Sequence, residues 1–179
     1  GSDPKVFALC ADLTDSVKMD KVKKEYYDRF VGMGIAEQNM ASVGSGIAAM
    51  GMIPYIASYA SFNPGRNWEQ IRTTIAYNNL PVRIIGAHAG LMTGPDGGTH
   101  QALEDVALMR VLPNMTVLIP ADYNEAKAMT IASLKMKGPV YIRLTREKAD
   151  EIYTDNYVYN SKAGVVYKYG VNNPTHIVL

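Results

Sequence analysis

The sequence predicts an α/β domain built on a mainly parallel sheet flanked by helices. Three observations carry that prediction. Short apolar runs of strand length alternate with stretches of helical spacing. Helix start and stop signals fall between these runs, not inside them. At 179 residues the chain is long enough to bury a real core in one domain.

Residues 6–10 (Val-Phe-Ala-Leu-Cys) read as a buried strand, and a polar, lysine-rich segment follows over 12–29. Residues 35–50 are rich in Ala, Gly, Ser and Met, which suits a helix that approaches its neighbour closely. Residues 53–58 are the second strand. Asn63-Pro64 reads as a helix start, Asn as the N-cap and Pro at the first helical position, with Trp68, Ile71 and Ile75 on one face. Residues 82–87 form the next strand, running into a glycine-rich loop at His88. A short helix is expected over 102–111 and a strand over 116–119. Asp122-Tyr-Asn-Glu125 is a capping box opening a helix that closes at Lys135, Lys137, Gly138 and Pro139. Residues 140–144 complete the series. The domain spans 1–146. Residues 147–175 read as a polar, Tyr-rich linker, and 176–179 as the first residues of a further domain.

Hydrophobic residues make up 47% of the chain and charged ones 20%, the balance of a soluble globular protein. A net charge of +1 excludes bulk attraction to nucleic acid or an anionic membrane, yet leaves room for a few cations that hold one phosphate. Cys10 is the sole cysteine, so no internal disulfide can form and a reducing cytoplasm is the natural compartment. No apolar run approaches the roughly 20 residues needed to span a bilayer.

In open parallel sheets ligands sit beyond the carboxyl ends of the strands. Two stretches near such ends are too unusual for packing alone. In Gly34-Ile-Ala-Glu37-Gln-Asn39 a carboxylate opens an apolar, small-residue helix. In 88–105 two histidines and an aspartate, His88, Asp96 and His100, share one loop. Taken alone, Glu37 reads as an acid welcomed by a helix dipole. Tyr59 reads equally well as core packing, and the loop histidines as partners of backbone groups. A metal site built from His88, Asp96 and His100 lacks typical zinc spacing.

Together these residues resemble the pyrimidine-binding middle domain of transketolases, above all of forms split into two polypeptides. The likeness rests on the order Asp12-Leu13, Gly34-Ile-Ala-Glu37-Gln, Tyr59-Ala-Ser-Phe62, His88, Asp96-Gly-Gly-Thr-His100-Gln and Arg143-Leu-Thr-Arg146, and it covers about residues 6–146. It implies thiamine diphosphate as cofactor and the transfer of two-carbon ketol units between sugar phosphates. Glu37 matches the activating glutamate, bonded to N1′ of the aminopyrimidine, with its pKa expected to be raised by apolar surroundings. Phe62 and Tyr59 match aromatics around the pyrimidine ring. Asp12 and Leu13 match a loop over the cofactor, and Ser16 in that loop a donor to the substrate phosphate. His88, Asp96 and His100 match sugar-binding residues, the histidines able to assist proton transfer. Arg146 matches the arginine that grips the phosphate. Arg143 is expected to point to the other face and to be structural. Pro95 stands where relatives often carry Glu.

The Gly-Asp-Gly and later Asn that hold Mg²⁺ and the diphosphate in this family find no match; Asp96-Gly97-Gly98 with Asn124 only imitates them. The resemblance therefore places the metal ligands on a diphosphate-binding partner subunit, in a heterotetramer or around a dimer of this chain. Deoxyxylulose-phosphate synthases usually have Asp-Arg-Ala-Gly where this chain has Ala87-His88-Ala89-Gly90, and dehydrogenase beta subunits a His-Ser-Gln loop. His88 and residues 99–105 favour transketolase. A synthase-like enzyme and a non-catalytic assembly module remain the alternatives.

Overall fold

The computed structural model describes residues 3–160. Six parallel strands form one sheet in the order β2-β1-β3-β4-β6-β5: β1 Val6–Cys10, β2 Phe30–Gly32, β3 Ile53–Tyr59, β4 Arg83–Ala87, β5 Thr116–Leu118 and β6 Val140–Arg143. Helices α1 (Asp20–Glu25), α2 (Glu37–Ala49), α3 (Trp68–Gln70, continued by a π-helical turn over Ile71–Ala76), α4 (Asp105–Arg110) and α5 (Tyr123–Ser133) connect them. The predicted parallel α/β architecture is what the chain adopts. Among the described residues no helix is long and apolar enough to cross a membrane.

Register explains the core. Leu9, Ile56, Ile84 and Tyr141 are paired across four adjacent strands and so share one face. That row packs on Met40 and Ala41 of α2, Ile71 and Ile75 of the π-helical turn, and Met109 of α4. On the opposite face Ile85, Ile142 and Leu118 form a second paired row, covered by Met129 of α5. The small residues of α2 allow the close approach expected of them: a Cβ on Gly44 would lie 2.8 Å from Cγ2 of Ile56. Gly86, in mid-sheet, is more restrictive still, because an added methyl would collide with the ring and hydroxyl of buried Tyr141. Gly86→Ala is expected to cost roughly 2–3 kcal/mol of stability through overpacking. A urea midpoint unchanged from wild type would contradict this.

The structure departs from the sequence reading at three places. Strand β2 was not foreseen; it is only three residues long and lies against a polar segment. Asn63-Pro64, joined by a cis peptide bond, does not open a helix. The Asn63 amide is buried and donates instead to the carbonyls of Ile56 (3.1 Å) and Ile85 (3.0 Å), tying the turn to β3 and β4. Helix α3 begins five residues later, at Trp68. The helix expected over 102–111 is shorter, because Ala102 is drawn into a bridge with Ala89 and accepts from the Gly90 amide at 2.8 Å.

The Asp122 cap expected at α5 forms, while the reciprocal Glu125 bond reaches Ala121, one residue before the N-cap. Asp122 accepts from the Glu125 amide and Glu125 from the Ala121 amide, both at 2.8 Å. Asp122 also accepts from the amides of Ile152 and Tyr153 at 2.7 Å, which brings part of the segment after Arg146 onto the helix start. Buried Arg83 donates to the carbonyls of Gly138 (2.6 Å) and Met136 (2.7 Å) and so satisfies the turn that ends α5. The strand expected over 176–179 and the rest of the expected linker lie outside the described residues.

Candidate functional site

Strands β3, β4 and β6 deliver the site residues to the carboxyl end of the sheet. Tyr59 is the last residue of β3 and is paired with Ala87, so it stands beside His88, the first residue beyond β4. His88 has a left-handed backbone (φ 54°), unusual for a residue with a side chain and a common mark of functional positions. The histidine ring lies on Tyr59, with centroids 4.1 Å apart and planes at 17°. Phe62 lies nearly parallel to Tyr59 at 6.1 Å. His100 meets Phe62 edge-on at 5.3 Å and Tyr59 at 6.1 Å. Four rings drawn from two separate stretches therefore form one cluster.

Glu37 joins this cluster through Arg66. It is the first residue of α2 and only 2% exposed. Oε2 of Glu37 accepts from Arg66 Nη1 at 2.7 Å, while the Arg66 guanidinium carbon sits 4.5 Å from the Phe62 ring centroid. The sequence reading gave this carboxyl apolar surroundings; the structure sets a cation against it. Asn67 steadies the helix start by donating to the Glu37 carbonyl (3.1 Å) and to Asn63 Oδ1 (2.9 Å).

The loop from His88 to His100 is knotted around Thr93. This buried side chain places its hydroxyl against the carbonyls of His88, Gly90 (3.1 Å) and His100 (3.3 Å), so one short residue fixes both histidine turns. Arg146, beyond β6, donates through Nη1 to the Thr93 carbonyl at 2.7 Å. Burial, with Arg146 close by, pushes the His88 imidazole below its ordinary pKa. Its Nδ1 is buried without a partner. A neutral imidazole with a free ring nitrogen can exchange a hydrogen bond with a hydroxyl group of a bound molecule.

A cleft of about 1340 Å³ opens beside these residues, and Ser16, Tyr59, His88, Asp96, Arg143 and Arg146 all line it. The lining mixes Lys18, Lys127, Arg143, Arg146 and Lys148 with Asp96, Asp122, Glu147 and Glu151, and within it the two guanidinium groups beside the imidazole suit a polyhydroxylated anion. Arg143 was expected to face away from Arg146; it lines the same cleft, with its Nε held by buried Asp105 at 3.0 Å. Asp12 also has a left-handed backbone (φ 57°). It lines a smaller depression of about 320 Å³ with Cys10, Thr14 and Gly34, and Leu13 lines neither space. Burial pushes the Cys10 thiol up, which makes it a poor nucleophile. Asn124 is committed to the Tyr153 carbonyl at 2.8 Å.

Sequence reasoning missed Arg66, Asn67, Thr93 and Asp105. Asp105 carries no signal beyond that of an acid near the start of an expected helix. Arg66 and Asn67 become notable through Glu37, 29 and 30 residues away, and Thr93 through the loop turns that its hydroxyl ties together.

Residues 1–151 match the family described as Transketolase, pyrimidine binding domain. Over 145 residues the chain is 43% identical to a putative transketolase C-terminal section of Methanocaldococcus jannaschii, covering 81% of this chain and 46% of that protein. It is 38% identical over 146 residues to a 1-deoxy-D-xylulose-5-phosphate synthase of Halalkalibacterium halodurans, covering 81% of this chain and 23% of that one. A solved structure described as a split gene transketolase, inactive beta4 tetramer, superposes with a TM-score of 0.81 at 41% identity, covering 92% of this chain and 53% of the other. The chain thus spans about half the length, or less, of the proteins it matches.

Proposed function

Since the chain belongs to the transketolase family as a pyrimidine-binding domain, a family of thiamine diphosphate-dependent transferases, we propose that it is one component of a split transketolase moving two-carbon ketol units from a ketose phosphate to an aldose phosphate. The observation that carries this reading is the convergence of buried Glu37 and the rings of Phe62, Tyr59, His88 and His100 at the carboxyl end of the sheet.

The residues fit the pyrimidine half of thiamine diphosphate. A flat heteroaromatic needs an aromatic face, which Phe62 offers with Tyr59 nearly parallel beside it, and a carboxyl group at its ring nitrogen, which Glu37 offers. The bound cofactor supplies the carbanion chemistry that breaks and makes carbon–carbon bonds. This chain's residues do the rest. Glu37 holds and moves the proton at N1′ of the pyrimidine. Asp96 accepts from a sugar hydroxyl and so reads its configuration. His88 and His100 orient neighbouring hydroxyls, and the neutral state of His88 lets it accept as well as donate. Arg146 and Ser16, which both line the cleft, hold the substrate phosphate. Asp12 and Leu13 belong to the loop that covers the cofactor.

Mg²⁺ and the diphosphate are assigned to a partner subunit, in a heterotetramer or around a dimer of this chain, in the cytoplasm. Leu91, Met92 and Leu103 support a partner on this side. They stand exposed on the histidine loop, held side by side by the Gly90–Ala102 hydrogen bond. A neighbour described as an inactive tetramer of split-gene beta chains fits a subunit that is silent without its complement.

The test is transfer from xylulose 5-phosphate to ribose 5-phosphate with thiamine diphosphate and Mg²⁺, on this chain alone and mixed with the diphosphate-binding subunit. Activity in the mixture only is the expected result. No activity in a mixture shown to form a complex would overturn the transketolase reading. Turnover of pyruvate with glyceraldehyde 3-phosphate would then identify the synthase alternative, which the likeness to such synthases keeps in view.

A further inference from the structure

Arg66 meets both groups assigned to the cofactor ring. Its guanidinium donates to Glu37 Oε2 at 2.7 Å and at the same time lies 4.5 Å from the Phe62 ring centroid. A guanidinium is a flat cation whose N–C–N edge donates to a carboxylate and whose face stacks on an aromatic ring. An aminopyrimidine bonded to Glu37 and stacked on Phe62 needs those same two surfaces. Arg66 is also free to leave: its side chain is 45% exposed, and its hydrogen bond goes to Glu37 alone among the described residues. By contrast the Asn67 next to it is buried and anchored on both sides of the turn. The hinge of such a movement is therefore the arginine side chain, not the backbone.

We propose that Arg66 is a placeholder for the cofactor's pyrimidine: in the cofactor-free protein it occupies Glu37 and the Phe62 face, and cofactor binding displaces it toward solvent. This rests on the transketolase reading for the identity of the ligand, but the occupied state belongs to this chain alone. Two physical benefits follow. A buried carboxylate is never left without a counter-charge, a state that would be costly. The aromatic face is also kept covered until the ring arrives. The cost is competition, since the apparent affinity is reduced by the fraction of molecules whose site is open. An ion pair with one exposed partner and one stacking contact make that a modest factor.

The test uses the complex of this chain with its diphosphate-binding subunit and has two arms. Calorimetric titration with thiamine diphosphate and Mg²⁺ should show Arg66→Ala binding about 3- to 10-fold tighter than wild type. Arg66→Lys, which keeps the charge but not the flat stack, should lie between them. Equal or weaker binding by a folded Arg66→Ala complex would overturn the proposal and make Arg66 a support for Glu37 instead. In the second arm, nuclear magnetic resonance of arginine-labelled chain in the cofactor-free complex should show one guanidinium with slowed rotation, lost in Glu37→Gln and on adding thiamine diphosphate. A freely rotating Arg66 in the wild type, or one unmoved by the cofactor, would likewise overturn it. Failure of the cofactor to bind either wild type or Arg66→Ala would instead sink the function on which it rests.

Discussion

Glu37→Ala is expected to lower ketol transfer by the reconstituted enzyme by roughly 10²–10⁴-fold, the range for loss of a positioned proton-transfer group. The fold should survive. The Glu37 side chain bonds to Arg66, which is exposed enough to be hydrated when released, and Asn67 binds the Glu37 backbone, which the substitution leaves in place. Circular dichroism and the thermal midpoint should therefore stay close to wild type while kcat collapses. Retained turnover would refute the role given to Glu37. Loss of fold together with activity would recast the carboxylate as structural.

Asp105→Ala is expected to have the opposite profile, with stability lost first. Asp105 is 1% exposed, and its Oδ2 accepts from the Tyr141 hydroxyl at 2.7 Å and from Arg143 Nε at 3.0 Å. Burial, reinforced by the adjacent carboxylate, holds the Tyr141 hydroxyl protonated far beyond neutral pH, so it can only donate here. Alanine would leave a buried hydroxyl and a largely buried guanidinium without their acceptor. Breaking a buried charge pair from one side costs about 3–5 kcal/mol, a large share of the 5–15 kcal/mol typical of whole domains. Urea unfolding measures it directly. Asp105→Asn, which keeps an acceptor of the same shape, should lose less. A loss below about 1 kcal/mol for alanine would show that water replaces the carboxylate. Because Arg143 also lines the cleft, the same variant should weaken whatever anion binds there.

The contrast between these residues shows what was readable in the sequence. The strand runs at 6–10, 82–87 and 140–144 and the Asp122 cap of α5 carry local signals, namely apolar continuity and a side chain that caps its own helix three residues on. Each of these elements formed. The motif residues were legible for a different reason: rare residue types cluster just past strand ends. The cleft gathers Ser16, His88, Asp96 and Arg146, and the ring cluster gathers Tyr59, Phe62, His88 and His100. What stayed hidden is long in range. Arg66 is 29 residues from Glu37, and Asp105 is 36 and 38 residues from Tyr141 and Arg143. Nothing within a local window distinguishes such a residue from an ordinary surface cation or a helix-start acid. Asn63 misled for a related reason. Its type suits a helix cap, but two backbone carbonyls of neighbouring strands claimed its amide.

The two outermost strands, β2 and β5, are each three residues long. A strand rises about 3.3 Å per residue, so among the described residues each rim of the sheet offers a stranger only about 10 Å of backbone to copy. That is too short a template for the runaway strand addition that leads to aggregates. If Leu91, Met92 and Leu103 await a partner, as proposed, the chain is thus guarded at its two most adhesive borders against joining the wrong one.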